Sequence, residues 1–355
     1  MTNNMNALVF LGPEKMVLEK VSIPACPPEG ILLKVKACGL CGSDLRTYHS
    51  GHANVRPPWI LGHEIAGVVA EVGKEIQGYK IGDRLAVAPP VYCGRCIFCR
   101  QDEYDLCLNI KEIAQHWPGG FAEYMMIPQE ALFLGNVNPI PANVSYCKVT
   151  ISEPLSSCIK AQEIGQVEVG ESVVIIGAGP IGCFHTEIAH TRGASKVMIM
   201  DILQERLELA KRFNPEVVIN SAGPGYIPKV LKETDNLGAD VVIVACPSEK
   251  AQIESLEMVR KGGRVIFFGG LPHGKSQVFL DTNLIHYKNL RIHGSSTFTP
   301  RHHKLAIEMI ADGKIKANEY ITDVFSLQEY QKGIKVLELG KALKVVLMPD
   351  SEVKI

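Results

Sequence analysis

Four cysteines stand in one short stretch. Cys93, Cys96, Cys99 and Cys107 are separated by two, two and seven residues. Four thiolates at that spacing can close a tetrahedral zinc site with no open coordination position, so the chemistry to expect there is structural. An iron–sulfur cluster is the competing reading of four thiolates. The spacing is too tight and regular for four independent core cysteines. Structural zinc binds zinc-finger peptides with roughly 10–16 kcal/mol, so this loop is expected to be ordered only with its metal.

A second constellation is backbone chemistry. The apolar run Ser172-Val-Val-Ile-Ile is followed at once by Gly177-Ala-Gly179-Pro180-Ile181-Gly182 and a helix-like run to Arg192. A strand feeding a helix through such a turn brings free N–H groups and the positive end of a helix dipole to one point, where a pyrophosphate fits. Gly177 permits the turn, Gly179 lets the backbone approach the ligand, and Gly182 lets the helix lie close on the strand. Pro180 and Ile181 complete the loop. A second apolar run ends at Asp201, 19 residues beyond Gly182, where a carboxylate meets an adenosine ribose. Ordinary βα turns also carry glycines, but the order of strand, glycines, helix, strand and acid favours a dinucleotide.

Composition bounds what else the chain does. It has 355 residues, which suggests about two domains. Lys plus Arg number 37 and Asp plus Glu 38, a balance that gives no electrostatic case for nucleic acid or an anionic membrane. No apolar run approaches 18 residues, and the N-terminus lacks the charged and apolar regions of a signal peptide. A cytoplasmic protein is expected. There are 11 cysteines, and in a cytosolic chain these more often mean metal or buried thiols than disulfides. Cys26, Cys38, Cys147, Cys158, Cys183 and Cys246 read as core thiols. Cys38 and Cys41 form a C-x-x-C, but no thioredoxin-like βαβ pattern surrounds them.

The elements that must position these groups fall into two kinds. Residues 1–90 read as all-β, broken by Gly and Pro turns. The strand Ile31–Ala37 delivers the loop Cys38–Asp44, and Gly62-His63-Glu64 opens another strand. Beyond the helix-like run Leu155–Ile164, strands alternate with helices. Strand-like stretches fall at 172–176, 196–201, 217–219, 239–245, 264–269 and 290–294, with helices at 204–213 and 251–259 between them. That alternation implies a parallel, doubly wound sheet covered on both faces. Residues 301–312 and 327–339 read as helices and 344–348 as a final strand, which leaves the βα pattern. His302 and His303 read as a solvated helix start, and His185 and His190 as helix-surface or packing residues.

Gly62-His63-Glu64-x2-Gly67-x5-Gly73, the four-cysteine loop and the glycine fingerprint, in this order, resemble the zinc-containing medium-chain dehydrogenase family along essentially the whole chain. The resemblance implies an α/β protein. A GroES-like, β-rich catalytic zinc domain would comprise residues 1–154 and 295–355. A dinucleotide-binding Rossmann domain at 155–294 would be inserted in it, with the active site in the cleft. It implies two zinc ions per chain, one catalytic and one structural, and NAD. Cys41 and His63 would be catalytic zinc ligands, and Glu64 a third ligand or a close neighbour of the metal. The residues around Glu153 resemble the polyol branch, which includes sorbitol and threonine dehydrogenases. Glu153 takes the place that a cysteine fills in the alcohol dehydrogenases and either binds zinc or holds its water. Ser43 would carry the proton from the alkoxide.

On this reading the chain moves a hydride from a secondary alcohol or polyol to NAD and forms a ketone, as a homotetramer or homodimer. The alternatives are a zinc-free, quinone-reductase-like member or a nucleotide-binding member without turnover. Two positions depart from the pattern. Arg46 stands where many relatives end a proton relay with histidine, so the relay would leave through the ribose or a neighbour such as His49. Gly294–Phe298 stands where sorbitol-type enzymes have an Arg-Tyr pair. His49, His52, His116 and Trp117 are candidates to line the substrate pocket.

Overall fold

The computed structural model describes residues 4–272 and 274–349. Packing divides the chain into two units, Met1–Ser156 with Thr297–Ile355, and Ser157–Ser296.

In the first unit the strand Ile31–Leu40 is the hub. It pairs antiparallel with Lys344–Met348, Glu64–Val72 and Tyr124–Ile127. The sheet runs in the order Ile321–Ser326, Lys344–Met348, Ile31–Leu40, Glu64–Val72, Arg84–Val91, Lys111–Glu112, with Gly135–Pro139 also on Arg84–Val91. Only its first pair is parallel. The hub is central because its apolar residues Ile31, Leu33, Val35 and Leu40 are all buried, in one core with Ile65, Val69, Leu85, Val87, Phe121, Val345 and Leu347. A smaller sheet joins Asn4–Gly12 to Lys15–Ser22 and to Trp59–Ile60. This is the β-rich, GroES-like architecture.

The second unit holds a six-stranded parallel sheet in the order Val217–Asn220, Lys196–Asp201, Ser172–Ile176, Ala239–Val244, Val259–Phe267, Arg291–Gly294. Both faces are covered, so the central strands are continuous apolar runs: Val173–Ile175, Val197–Met200 and Val241–Val244 are buried. Strand order reverses between Ser172–Ile176 and Ala239–Val244, the switch point at which open α/β sheets bind ligands.

Several local expectations change. Residues 1–90 are not all-β, because Gly42–Ser50 is a helix. Its residues carry no apolar period, and it is set by its cap, described below. The strand expected from Arg264 begins at Val259 and runs through Gly262 and Gly263, which read as a turn. Helices at Tyr226–Glu233 and Thr282–Lys288 were not singled out in the sequence. His302 and His303 do open the helix Pro300–Ala311, but they are buried rather than solvated. The His303 ring takes a hydrogen bond from Asn138 on one nitrogen and meets Ser152 Oγ at 3.0 Å on the other. Cys38, Cys147, Cys158 and Cys183 are buried thiols, whereas Cys26 and Cys246 are half-buried.

Candidate functional site

Asp44 organises the first cluster. Cys41 caps the helix Gly42–Ser50, and the Asp44 carboxylate three residues on accepts the Cys41 backbone N–H at 2.9 Å. Such a return bond satisfies one of the orphan donors of a helix start. The other Asp44 oxygen lies 3.2 Å from His63 Nδ1. One buried carboxylate therefore fixes the backbone of Cys41 and the ring of His63 together, and leaves His63 Nε2 as the outward nitrogen. A carboxylate behind an imidazole is the usual arrangement at metal-binding histidines. Ser43 Oγ sits 3.4 Å from that same Nε2.

The next residue along, Glu64, is fully buried. Its two oxygens receive Lys344 Nζ at 2.6 and 2.7 Å. Glu64 pairs with Gly39 across the sheet, and a Cβ on Gly39 would stand 1.9 Å from the Glu64 carboxylate. Only glycine leaves room for the acid at that point. Burial by itself disfavours the Lys344 ammonium, but the charges of Glu64, Cys41 and Glu153 outweigh it and hold the group protonated. Lys344 belongs to no motif and was not flagged in the sequence. The only signal for it was a lone lysine opening an otherwise apolar strand.

One ligand atom from each of Cys41, His63 and Glu64 lies within 4.8 Å of the others. Sulfur, imidazole nitrogen and carboxylate oxygen are a zinc donor set. Burial depresses the basicity of His63, but Asp44 and Cys41 more than restore it and hold the ring well above its ordinary value. Glu153, at the start of the helix Ser152–Ile164, shares this field. Burial lifts its carboxyl to about 7, with His63 and Lys344 pulling it down and Glu64 and Glu112 pushing it up. It is half-buried and stands outside the 4.8 Å group.

The four cysteines of the second cluster also converge within 4.8 Å, with Cys93 and Cys99 sulfurs 4.0 Å apart. At a Zn–S distance of about 2.3 Å, tetrahedral sulfurs stand roughly 3.8 Å apart, so the set fits zinc. The surrounding lobe has little core, only Tyr92, Cys99 and Cys107 with Tyr104 and Ile110 against them. Backbone N–H groups, that of Arg95 foremost, bring the Cys93 thiol down to about 6, whereas burial pushes Cys99 up to about 12.

In the second unit Gly177 has φ +112°. A Cβ on Gly182 would fall 1.8 Å from Gly177 O, so the helix Pro180–Thr191 sits as close to the strand as glycine alone allows. A Cβ on Gly179 would meet nothing within 4 Å, so the loop keeps open space at the helix N-terminus, with Pro180 as its first residue and Ile181 half-buried behind it. Those features fit a pyrophosphate. Asp201 is buried, with both carboxylate oxygens on backbone N–H groups. One oxygen accepts Ala178 N–H at 2.8 Å, inside the glycine loop, and the other accepts Leu203 N–H at 3.0 Å. Arg206 Nη1 stands 3.9 Å from it, a guanidinium that the residues next to Asp201 did not reveal.

Among the pocket candidates, His49 is engaged on both nitrogens, with Glu14 at 2.6 Å and Glu338 at 2.8 Å. A relay through it would have to displace one of them. His52 Nδ1 takes Asn54 N–H at 3.3 Å, and His116 Nδ1 takes Glu112 N–H at 3.0 Å. Trp117 lies half-buried under Lys111 Nζ, 5.3 Å from its ring centre. Arg46 is exposed.

Comparison with known proteins agrees with this anatomy. Residues 27–137 match the family described as "Alcohol dehydrogenase GroES-like domain", and residues 180–312 match "Zinc-binding dehydrogenase". The chain is 31% identical to sorbitol dehydrogenase of Bacillus subtilis, over 98% of each chain. It is 32% identical to L-threonine 3-dehydrogenase of Pyrococcus furiosus, over 98% of this chain and 99% of the other. An alcohol dehydrogenase of Escherichia coli CFT073, solved with NADH, superposes with a TM-score of 0.87 at 26% identity, over 98% of this chain and 99% of that one.

Proposed function

The chain belongs to the zinc-containing medium-chain dehydrogenases, in their polyol branch, and from that premise we propose that it oxidises a secondary alcohol or polyol to a ketone with NAD as acceptor. The observation that carries this reading is Asp44, which binds Cys41 and His63 at once and leaves both ligand atoms converging with Glu64. Cys41 and His63 hold a catalytic zinc. Glu64 has both oxygens on Lys344, so we assign it to the neighbourhood of the metal and give the third protein position, direct or through water, to Glu153. Cys93, Cys96, Cys99 and Cys107 hold a structural zinc.

When bound, zinc supplies a Lewis acid for the alcohol oxygen, and the nicotinamide accepts the hydride. The chain's own work is positional. Asp44 keeps the His63 ring oriented with Nε2 outward. Ser43 Oγ, beside that nitrogen, relays the proton of the substrate hydroxyl, accepting it while passing its own on towards the nicotinamide ribose and solvent. Lys344 offsets the charge of Glu64, so the site does not gather three unbalanced anions. Gly177, Gly179, Pro180, Ile181, Gly182 and Asp201 hold the dinucleotide.

We assign residues 1–154 and 295–355 to the zinc domain and 155–294 to the dinucleotide domain. Packing units divided after Ser156 and Ser296 support the assignment. We further assign the protein to the cytoplasm as a homodimer or homotetramer. Among the described residues no helix is long and apolar enough to cross a membrane. Exposed Ile97, Leu106 and Leu108 on the cysteine lobe support association.

The test joins metal analysis to kinetics. Two zinc ions per chain and NADH formation from polyols, amino alcohols or simple secondary alcohols are expected. Glu153→Ala should cut turnover by at least roughly tenfold, about 1.4 kcal/mol in the barrier, with NAD affinity little changed. Cys41→Ser should lose one zinc. Wild-type turnover in Glu153→Ala with full zinc would remove Glu153 from the site.

A further inference from the structure

The turn 112–118 is tied to the metal cluster from two sides. On one side, Glu64 pairs with Gly39, its neighbour Ile65 with Val87, and three residues further along that strand Pro90 pairs with Glu112. Ile113 N–H binds Pro89 O at 3.0 Å. On the other side, Gly119, Phe121 and Gly120 donate to Ile60, Leu61 and Gly62 at 2.8, 3.0 and 2.8 Å, against the segment that delivers His63. The turn therefore lies one strand beyond the neighbour of Glu64 and against the segment that delivers His63.

It is also rigid. His116 N–H binds Glu112 O at 2.8 Å, and Glu112 N–H binds His116 Nδ1 at 3.0 Å. Ala114 adopts φ 71°, its N–H binds Trp117 O at 2.8 Å, and its carbonyl accepts Trp59 Nε1 at 2.8 Å. A non-glycine residue with positive φ costs conformational energy, which the surrounding bonds must offset. The Glu112 side chain is aimed by the same turn. Gln115 Nε2 donates to Glu112 Oε2, and Asn54 Nδ2 donates to Gln115 Oε1 at 3.1 Å. The Glu112 carboxylate is met by the Gln115 amide, with no cation paired to it among the described residues.

We propose that Glu112 is a specificity-determining residue of this site, whose carboxylate accepts a second hydroxyl of an uncharged, polyhydroxylated substrate. The inference rests on the polyol reading above and deepens it. A substrate with two or more hydroxyls can place one oxygen at the Cys41–His63 cluster and donate another to Glu112. A site built to bond a hydroxyl rejects analogues that lack it, because its polar group is left unpaired. The same carboxylate repels a phosphate or carboxylate on the substrate. Glu112 thus favours neutral polyols over both simple secondary alcohols and phosphorylated polyols.

The experiment compares kcat/KM for sorbitol, xylitol, 2-butanol and sorbitol 6-phosphate in wild type, Glu112→Gln and Glu112→Leu, with zinc content and thermal midpoint as fold controls. Glu112→Gln, nearly isosteric, should lower kcat/KM for the best neutral polyol by about tenfold, leave 2-butanol within about twofold, and narrow the gap to the phosphorylated polyol. Glu112→Leu should lose more on the polyol and none on 2-butanol. Equal losses on all substrates, or none on the polyol, would overturn the role of Glu112 while the polyol reading stands. A wild type that turns over 2-butanol and no polyol would end the polyol reading and this inference with it.

Discussion

Lys344 and Glu64, 280 residues apart in sequence, form a fully buried ion pair with both carboxylate oxygens engaged. Removing one partner of such a pair leaves a charge without compensation in a dry interior, at a cost of about 3–5 kcal/mol. Lys344→Met should therefore lower the urea midpoint of the zinc domain sharply, and adding Glu64→Gln should recover part of the loss. Wild-type stability in Lys344→Met would mean that Glu64 finds another partner.

Asp201 holds Ala178 N–H inside the glycine loop. On the NAD reading proposed above its carboxylate would also disfavour a 2′-phosphate, and Ile202 and Leu203 offer no cation. Asp201→Ala should raise the KM for NAD about tenfold and narrow the preference over NADP, with Arg206 free to turn to a phosphate. Asp201→Asn, which keeps one acceptor oxygen, should weaken NAD less. Wild-type efficiency already equal with both cofactors, or an unchanged preference in Asp201→Ala, would count against this role.

Cys99→Ser should take the structural zinc and leave the catalytic one. Zinc content should fall from two per chain towards one, and the thermal midpoint should drop or assembly change, because the lobe around Tyr92 and Cys107 has little other core. A variant of wild-type stability that had lost only its chemical step would place this zinc in the reaction.

His185 gives the inserted unit an acid-sensitive element. It is fully buried in the helix Pro180–Thr191, with its ring edge-on to Phe268, and burial pushes its imidazole down to about 3. The unfolded chain takes up this proton near pH 6.5 and the folded one does not. The stabilising contribution is therefore complete above about pH 6.5 and is lost as pH falls towards 3, with a slope approaching about 1.4 kcal/mol per pH unit. Urea midpoints at pH 7.0 and 5.5 should fall further for wild type than for His185→Gln. Parallel losses in the two proteins would assign the acid sensitivity elsewhere.

The readable parts of this chain were those in which local sequence and local chemistry coincide. Four cysteines within 15 residues, or glycines between a strand and a helix, meet through short stretches of backbone, so spacing predicts them. The apolar runs of the inserted unit are legible for the same reason, because a strand buried on both faces must be apolar throughout. The helix Gly42–Ser50 was missed because a side-chain cap, not a hydrophobic period, sets it. His302 and His303 were misplaced because polarity suggests solvent, whereas partners such as Asn138 and Ser152 come from distant segments. Lys344 was invisible on similar grounds: pairing across 280 residues leaves no local trace. The grouping of Cys41, His63 and Glu153 came from family resemblance, and only the fold supplies the reason that Asp44 binds the first two together.

The hub strand Ile31–Leu40 has an early neighbour, Glu64–Val72, and a late one, Lys344–Met348. A ribosome adds about 5–20 residues per second. The 280 residues between Glu64 and Lys344 thus take roughly 14–56 s to make. For all that time the acid has no ammonium to meet and the Cys38–Leu40 end of the hub lacks its later partner strand. The inserted unit, whose strands follow one another at short intervals, can complete its sheet meanwhile. Synthesis therefore allows the inserted unit to mature first, while the β-rich unit closes around a carboxylate made long before its counter-ion.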